Sequence, residues 1–195
     1  MTPRISVRRL RTVACTLAGR AVLGRRGVSM GEAVRLVGWP SIRLHAGSVI
    51  TIDARAALVS ARTANPLYLD QPVHLRTLTP TAEIHIGPDV GLSGSTIASA
   101  RRVEIGARTM VGRGCLIMDT NFHPLTPEAR RYAPLPETRA EDEVVIGADV
   151  FIGARVIVLP GARVGDRAVI GAGSVIRGTV PADSVVAGNP WVRIK

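Results

Sequence analysis

A six-residue beat runs through most of this chain and dictates what it can fold into. It is clearest at Ile146-Gly147-Ala148-Asp149-Val150-Phe151 and Ile152-Gly153-Ala154-Arg155-Val156-Ile157, and it continues through Val158, Val164, Ile170 and Ile176. An aliphatic residue leads each hexad, Gly often follows, and the fifth place is small or β-branched: Val150, Val156, Ala162, Ala168, Ser174, Val180. A period of six matches neither an α-helix at about 3.6 residues per turn nor an alternating strand. It suits a solenoid in which each hexad is one short flat strand plus a turn. Three hexads then close a roughly triangular coil, with leaders and fifth-place residues stacked inside. Gly in second place fits a corner where a side chain would crowd its neighbours. Each coil touches only the next, so stability grows by stacking and the ends need caps. The competing architecture, a β-sandwich rich in Gly turns, does not keep a fixed hexad register.

The beat also appears upstream. Ile86-Gly87 and Leu92-Ser93 lead hexads, with Val90 and Thr96 in fifth place. From Ala98 to Ile105 the spacing is seven, a slip of one that carries Arg101 and Arg102; Ile105-Gly106, Val111-Gly112 and Ile117 then resume the period. A weaker start stands at Ile52 and Leu58. Two stretches interrupt the beat, roughly 61–83 and 122–144. Such interruptions are loops thrown out from the stack, and long loops in compact domains are often functional. The expected organisation is one domain: a basic, partly helical cap over 1–45, and a β-helix over 46–195 with the extruded loop 122–144.

Composition fits that reading. Aromatic residues make up only 3% of the chain, as a narrow interior lined by Val, Ile and Ala requires. Cys115 falls in a fifth place, the small-residue column, and is expected inside the core; Cys15 stands far from it. Two such cysteines make neither a disulfide framework nor a cysteine metal site, which points to a reducing compartment and a cytoplasmic location. The net charge of +10 is concentrated at the N-terminus, where residues 1–45 hold nine Arg against Glu32 alone. Leu10, Val13, Leu17 and Ala21 recur there at helical spacing beside Arg8, Arg9, Arg11 and Arg20. A short basic amphipathic helix either caps the open end of the solenoid or lies on an anionic membrane surface, and the two roles are compatible. Arg20, Arg25 and Arg26 break any apolar run long enough to span a bilayer. The apolar stretch after Arg11 is too short and interrupted for a signal peptide. Nucleic-acid binding would call for exposed aromatics or a reading motif, and the sequence offers neither.

Of the four histidines, His45 lies in the basic N-terminal region, His74 in the first interruption, and His85 just before a hexad leader. His123 differs from them. It sits in Asp119-Thr120-Asn121-Phe122-His123-Pro124, where the beat stops and the charged loop begins. An imidazole with an ordinary pKa near ~6.5, held at a rigid coil edge, is suited to take a proton at neutral pH.

These features resemble the hexapeptide-repeat acetyltransferases. The resemblance rests on the hexads, on the segment 119–124, and on the closing run Val169-Ile170-Gly171-Ala172-Gly173-Ser174-Val175-Ile176, Pro181 and Ala187-Gly188-Asn189-Pro190. It spans about residues 45–195 and looks closest to the maltose- and polysaccharide-type sugar O-acetyltransferases. Asn65-Pro66-Leu67 and Leu75-Arg76-Thr77-Leu78 look like a subgroup linked to exopolysaccharide genes. The resemblance implies a left-handed parallel β-helix that trimerises, with active sites between neighbouring subunits. It implies acetyl-coenzyme A as co-substrate, its pantetheine arm beside the C-terminal hexads, and no metal. By position in the motifs, His123 matches the catalytic base, and Ala154 and Ala172 match residues whose backbone contacts pantetheine. Phe151 stands where relatives often carry Trp near the donor. Arg177 replaces a Thr-Lys pair, so it or Arg193 would supply charge to the nucleotide phosphates. Ser93 occupies the place of an active-site Asn. Trp191 and Val192 depart from the small residue and basic residue common after Gly-Asn-Pro.

The implied chemistry is direct transfer. His123 takes the proton of an acceptor hydroxyl, the oxygen attacks the thioester carbonyl, and a backbone N–H or Ser93 stabilises the oxyanion. Asp119 and Asn121 are supporting candidates; Asp119 either orients the imidazole or caps the loop. Arg130, Arg131 and Arg139 on the loop are candidates to wall the acceptor cleft, the acceptor being a sugar or glycan precursor. An antibiotic acetyltransferase shares scaffold and base. Serine acetyltransferase would need a larger helical domain. A zinc-dependent β-helical carbonic anhydrase would need a second His near His123, and a non-catalytic solenoid would not bind acetyl-coenzyme A.

Overall fold

In a computed structural model that describes residues 7–128 and 130–195, the hexads wind into a left-handed parallel β-helix. Leaders Ile146, Ile152, Val158, Val164, Ile170 and Ile176 and fifth-place Val150, Val156, Ala162, Ala168 and Ser174 are all buried. Two expected fifth places differ: Val180 is buried but pairs with the leader Val164 and so leads the last coil, and Thr96 stands on the outer face just before the leader Ile97, with Ser95 buried in its stead. Leaders stack on leaders through the parallel register, Ile105 on Ile146 and Ile146 on Val164. Among the described residues three sheets form the three faces. Sheet 1 has seven strands from Val28–Met30 to Thr179–Val180, and sheet 3 has six from Ser41–Arg43 to Val175–Ile176. Sheet 2 has eight, beginning at Arg35–Val37 and closing with Val185–Gly188, against which Trp191–Arg193 folds back antiparallel.

The corners explain the sequence between leaders. A Cβ on Gly106 would stand 2.5 Å from the Gly147 carbonyl carbon one coil away, so the second place must be bare where coils touch. Two residues further on, the chain turns from sheet 1 to sheet 2 through the left-handed region: Arg55, Asp89, Arg108, Asp149, Arg167 and Asp183 all have φ between 57° and 62°. This conformation is unfavourable for a residue with a Cβ. The sequence alternates charge at these places, and bidentate ion pairs clamp successive coils: Arg55–Asp89, Arg108–Asp149 and Arg167–Asp183.

The solenoid starts earlier than the sequence boundary at 45/46. Its first coil holds the strands Val28–Met30, Arg35–Val37 and Ser41–Arg43, with Val34, Leu36 and Ile42 buried like later leaders. Outward Arg35 and Arg43 mask the beat there. The first interruption is also shorter than 61–83. Strands His74–Thr77 and Glu83–Ile86 are in register with the stack, so His74 belongs to sheet 3 and not to a loop.

The cap is the helix α1 (Val7–Arg25). It closes the first coil with the face bearing Gly19 and Leu23, both buried. Thr16 Oγ1 accepts the Leu36 N–H at 3.0 Å, and the Arg20 guanidinium donates to the Gly31 and Met30 carbonyls at 2.7 and 3.1 Å. The apolar stripe Leu10, Val13, Leu17 lies on the opposite face and is more than half exposed.

Candidate functional site

At the corner from sheet 3 to sheet 1 in the fourth coil, the chain leaves the stack after strand Leu116–Met118. Asp119 is the anchor. Its fully buried carboxylate accepts the Ser99 hydroxyl at 2.9 Å and the backbone N–H groups of Ala100, Arg101 and Arg102 at 2.6, 2.8 and 2.7 Å. These N–H groups belong to the corner between Ile97 and Ile105. Ile97, not Ala98, stands in the leader column, so the slip expected from Ala98 is a longer corner after Ile97, and its extra residues carry donors that the ladder does not take. Asp119 therefore caps backbone, and its acceptors are spent there; the imidazole-orienting role is not what its geometry serves.

Past this anchor the chain turns sharply. Thr120, nearly buried, accepts the Phe122 N–H at 3.2 Å on Oγ1, and the Asn121 carbonyl accepts the His123 N–H at 2.8 Å. With Phe122 at φ 61°, this is the strained form of the γ-turn. Strain of this kind persists where surrounding structure holds it in place. The result is an imidazole held out from a pinned turn: His123 is exposed.

The loop beyond is tied to itself and to the stack. Arg130 donates to the Pro124, Thr126 and Leu125 carbonyls at 3.1, 3.2 and 2.5 Å, so its guanidinium shapes the loop and is not free for an acceptor. Arg131 lies 5.8 Å from the Tyr132 ring centre. Arg139 pairs with Glu141 at 3.7 Å.

The donor candidates stand elsewhere. Phe151 projects from sheet 2 between Met110 and Val169, half exposed. Ala154 and Ala172 occupy successive corners from sheet 2 to sheet 3, where a Cβ on Gly153 would meet Ala172 N at 2.6 Å. Ser93 lies at the end of strand Gly91–Ser93, approaching that same corner. Arg177 follows strand Val175–Ile176, at the His123 side of sheet 3, and its carbonyl accepts the Trp191 indole N–H at 3.0 Å. Arg193 donates to the Lys195 carbonyl at 3.1 Å. In one chain, then, His123 and the Ala154–Ala172 pair flank opposite edges of sheet 3.

Two features are not evident in the sequence. Arg43, His74, Arg76, Gln71, Thr96 and Phe122 line a groove of about 440 Å³ on the outer face of sheet 3, next to His123. The signal is the alternation His74, Arg76 in a strand that the broken beat disguises as loop. Also, Trp39, Tyr68, Phe122, Tyr132 and Phe151 are exposed, although the sequence promises few aromatics outside. Burial pushes the Cys115 thiol up to about 11, and it donates to the Gly153 carbonyl at 3.1 Å; it is a core residue. Among the described residues, no group of three or more His, Cys, Asp or Glu is placed to hold a metal, and no helix is long and apolar enough to cross a membrane.

Residues 143–178 match the family model described as bacterial transferase hexapeptide (six repeats). The chain is 38% identical over 103 residues to the putative lipopolysaccharide biosynthesis O-acetyl transferase WbbJ of Escherichia coli K12, covering 51% of this chain and 53% of that protein. It is 33% identical over 108 residues to a galactoside O-acetyltransferase of Lactococcus lactis, covering 55% and 50%. The chain thus spans about half the length of the curated relatives it matches. Among solved structures, the N-acyltransferase AntD of Bacillus cereus superposes with a TM-score of 0.67 at 15% identity, over 90% of this chain and 88% of that one. A hexapeptide-repeat acetyltransferase of Vibrio cholerae complexed with acetyl coenzyme A superposes with a TM-score of 0.58 at 23% identity, over 92% and 76%. At these identities the superpositions speak for the fold.

Proposed function

We propose that this chain is a hexapeptide-repeat transferase of the sugar O-acetyltransferase kind, and that it moves an acetyl group from acetyl-coenzyme A to a hydroxyl of a sugar or glycan precursor. The observation that carries the reading is His123, displayed on a strained, anchored turn at the edge of a stack whose hexads over 143–178 match the family model. The similarity to a lipopolysaccharide-type and a galactoside O-acetyltransferase supports acetyl transfer to a sugar hydroxyl.

His123 takes the proton of the acceptor hydroxyl as the oxygen attacks the thioester carbonyl. The tetrahedral oxyanion is stabilised by backbone N–H groups at a corner, with Ser93 the side-chain candidate. Collapse expels the thiolate, which recovers the proton from the imidazolium. Neither an acyl-enzyme nor Cys115 takes part. Phe151, Ala154 and Ala172 border the pantetheine, and Arg177 and Arg193 face the nucleotide phosphates. Because His123 and the Ala154–Ala172 corner flank opposite edges of sheet 3, the site is completed by packing one chain's His123 edge against its neighbour's alanine corner. A homotrimer does this three times. Two free cysteines fit a cytoplasmic enzyme.

A second contact is favoured by the outward stripe of α1. Leu10, Val13 and Leu17 face away from the coil beside exposed Arg11, Arg25 and Arg26, the pattern that binds anionic lipid surfaces peripherally. Sedimentation with anionic but not neutral vesicles, lost in variants of that stripe such as Leu17→Glu, is the expected result.

The test of the main reading is thiol release from acetyl-coenzyme A across sugars, nucleotide sugars and aminoglycosides. Acetylation of a sugar hydroxyl, abolished in His123→Ala with the assembly intact, is expected. Full activity in that variant overturns the reading, and turnover of aminoglycosides alone replaces the acceptor class.

A further inference from the structure

Many arginines on this stack meet a carboxylate. Arg55, Arg108 and Arg167 face Asp partners along one corner, Arg101 meets Glu143, and Arg102 meets Glu104. Sheet 3 breaks that pattern at its N-terminal end. Arg43 and Arg76 are register partners in adjacent parallel strands, both point outward and both are exposed. Neighbouring strands lie about 4.8 Å apart, and like charges directly opposite are destabilising. Among the described residues neither guanidinium has an ion pair or a side-chain hydrogen bond. His74, two residues before Arg76 on the same face, adds a third nitrogen group.

The surroundings leave room for something to answer that charge. The next residue in the row after Arg76 is Ala98, whose small side chain opens the groove. Gln71 closes one side, its Nε2 donating to Thr96 Oγ1 at 3.0 Å, and Phe122 rises at the other, one residue from His123. The groove runs on across Arg43 and Ser41 to Trp39, Pro40 and Arg26. Trp39 is half exposed in a chain whose core holds no aromatic ring among the described residues. Its face is a platform for a flat ring or an apolar sugar face, while guanidinium forks beside it suit phosphate oxygens.

We infer that this groove is the acceptor's anionic subsite: Arg43 and Arg76 hold the phosphates of a diphosphate-linked sugar, and Trp39 carries the ring attached to them. Its role as an acceptor site rests on the acyl-transfer reading above; the binding does not. The donor's phosphates are an unsuitable occupant. The expected donor hexads lie toward strand Val175–Ile176, four strand spacings from His74–Thr77 in sheet 3, or about 19 Å.

The experiment is calorimetric titration of the full chain with UDP-glucose, inorganic pyrophosphate and glucose, with and without saturating coenzyme A. UDP-glucose and pyrophosphate bind, and glucose does not. Arg43→Gln and Arg76→Gln each weaken both ligands at least tenfold, while the melting temperature in phosphate-free buffer holds or rises because a like-charge pair is gone. Trp39→Ala weakens UDP-glucose but not pyrophosphate. Unchanged affinities in both Arg variants overturn the assignment, and so does displacement of UDP-glucose by coenzyme A, which would give the phosphates to the donor. His123→Ala binds UDP-glucose as tightly as the native chain. If that variant still transfers acetyl groups, the catalytic reading fails while the subsite stands.

Discussion

The Asp119 carboxylate accepts the backbone N–H of Ala100 at 2.6 Å, nineteen residues back in the chain, and with it fastens the strained turn that displays His123 to the long corner in the coil beneath. The same carboxylate takes the Arg101 and Arg102 N–H groups and the Ser99 hydroxyl. Leaving buried donors unanswered costs about 1–3 kcal/mol each. Asp119→Ala should therefore lose about 3–5 kcal/mol in urea unfolding, near the top of the range for single substitutions. Asp119→Asn should lose nearly as much, because its amide nitrogen cannot accept. A normal melting temperature with lost turnover in Asp119→Asn would instead make Asp119 the partner of the imidazole.

The Arg–Asp pairs along the first corner predict a pH-dependent stability. Hydrogen bonds from Arg55, Arg108 and Arg167 hold the Asp89, Asp149 and Asp183 carboxyls below their ordinary range. A lowered folded-state pKa contributes stability that is present above the unfolded value and lost as pH falls through the folded one. Salt and pH below about 4 should thus both erase the difference between native chain and Asp149→Asn. The pairs are exposed, so the effect is small. The charge-swapped double variant Arg108→Asp with Asp149→Arg should recover more stability than either single variant, measured as a coupling in thermal melts. A pair with no coupling would leave the alternating charges without an energetic role.

Cys115 gives the opposite sign. Its thiol is raised from about 9 to about 11 by burial. A raised pKa contributes stability that is complete below the unfolded value and lost as pH climbs toward the folded one. Between pH 9 and 11 the native chain should lose about 2–3 kcal/mol that a Cys115→Val variant keeps. At neutral pH Cys15, half-buried on α1, should react with a thiol reagent while Cys115 does not. Rapid modification of both thiols would contradict the core placement.

What is legible in the sequence is periodic. Leaders, fifth places, Cys115 and the second-place Gly at 106 and 153 follow from one repeat, because identical coils impose identical contacts. What is hidden lies where charge overlays that repeat. Arg35 and Arg43 disguise the first coil, and His74 and Arg76 look like loop because the inward residues Val73, Leu75 and Thr77 alternate with them off the hexad beat. The stripe Leu10, Val13, Leu17 marks a helix face, but α1 docks through Thr16, Gly19 and Leu23, since a close approach to Leu36 needs small residues. Position in sequence puts Asp119 and Arg130 at the site, yet each is occupied by backbone that only the folded corner brings near.

The final prediction concerns Phe122, whose φ of 61° is unfavourable for any residue with a Cβ and costs about 1–3 kcal/mol. Glycine meets no such penalty, so Phe122→Gly relieves strain in the folded state. It also frees the unfolded chain, which offsets part of the gain, and the melting temperature should change little. The function should not be spared. Phe122 is the residue that both rims the acceptor groove and sets the direction of His123, and a glycine there lets the imidazole swing. Misplacement by about 1 Å can cost roughly a hundredfold in rate. The variant should therefore combine near-native stability and coenzyme A affinity with a kcat for acetyl transfer lower by at least tenfold. Phe122→Leu, which keeps the bulk and the backbone preference, should recover a large part of that loss. Equal activity in Phe122→Gly and the native chain would show that the strain at this corner has no part in placing the base.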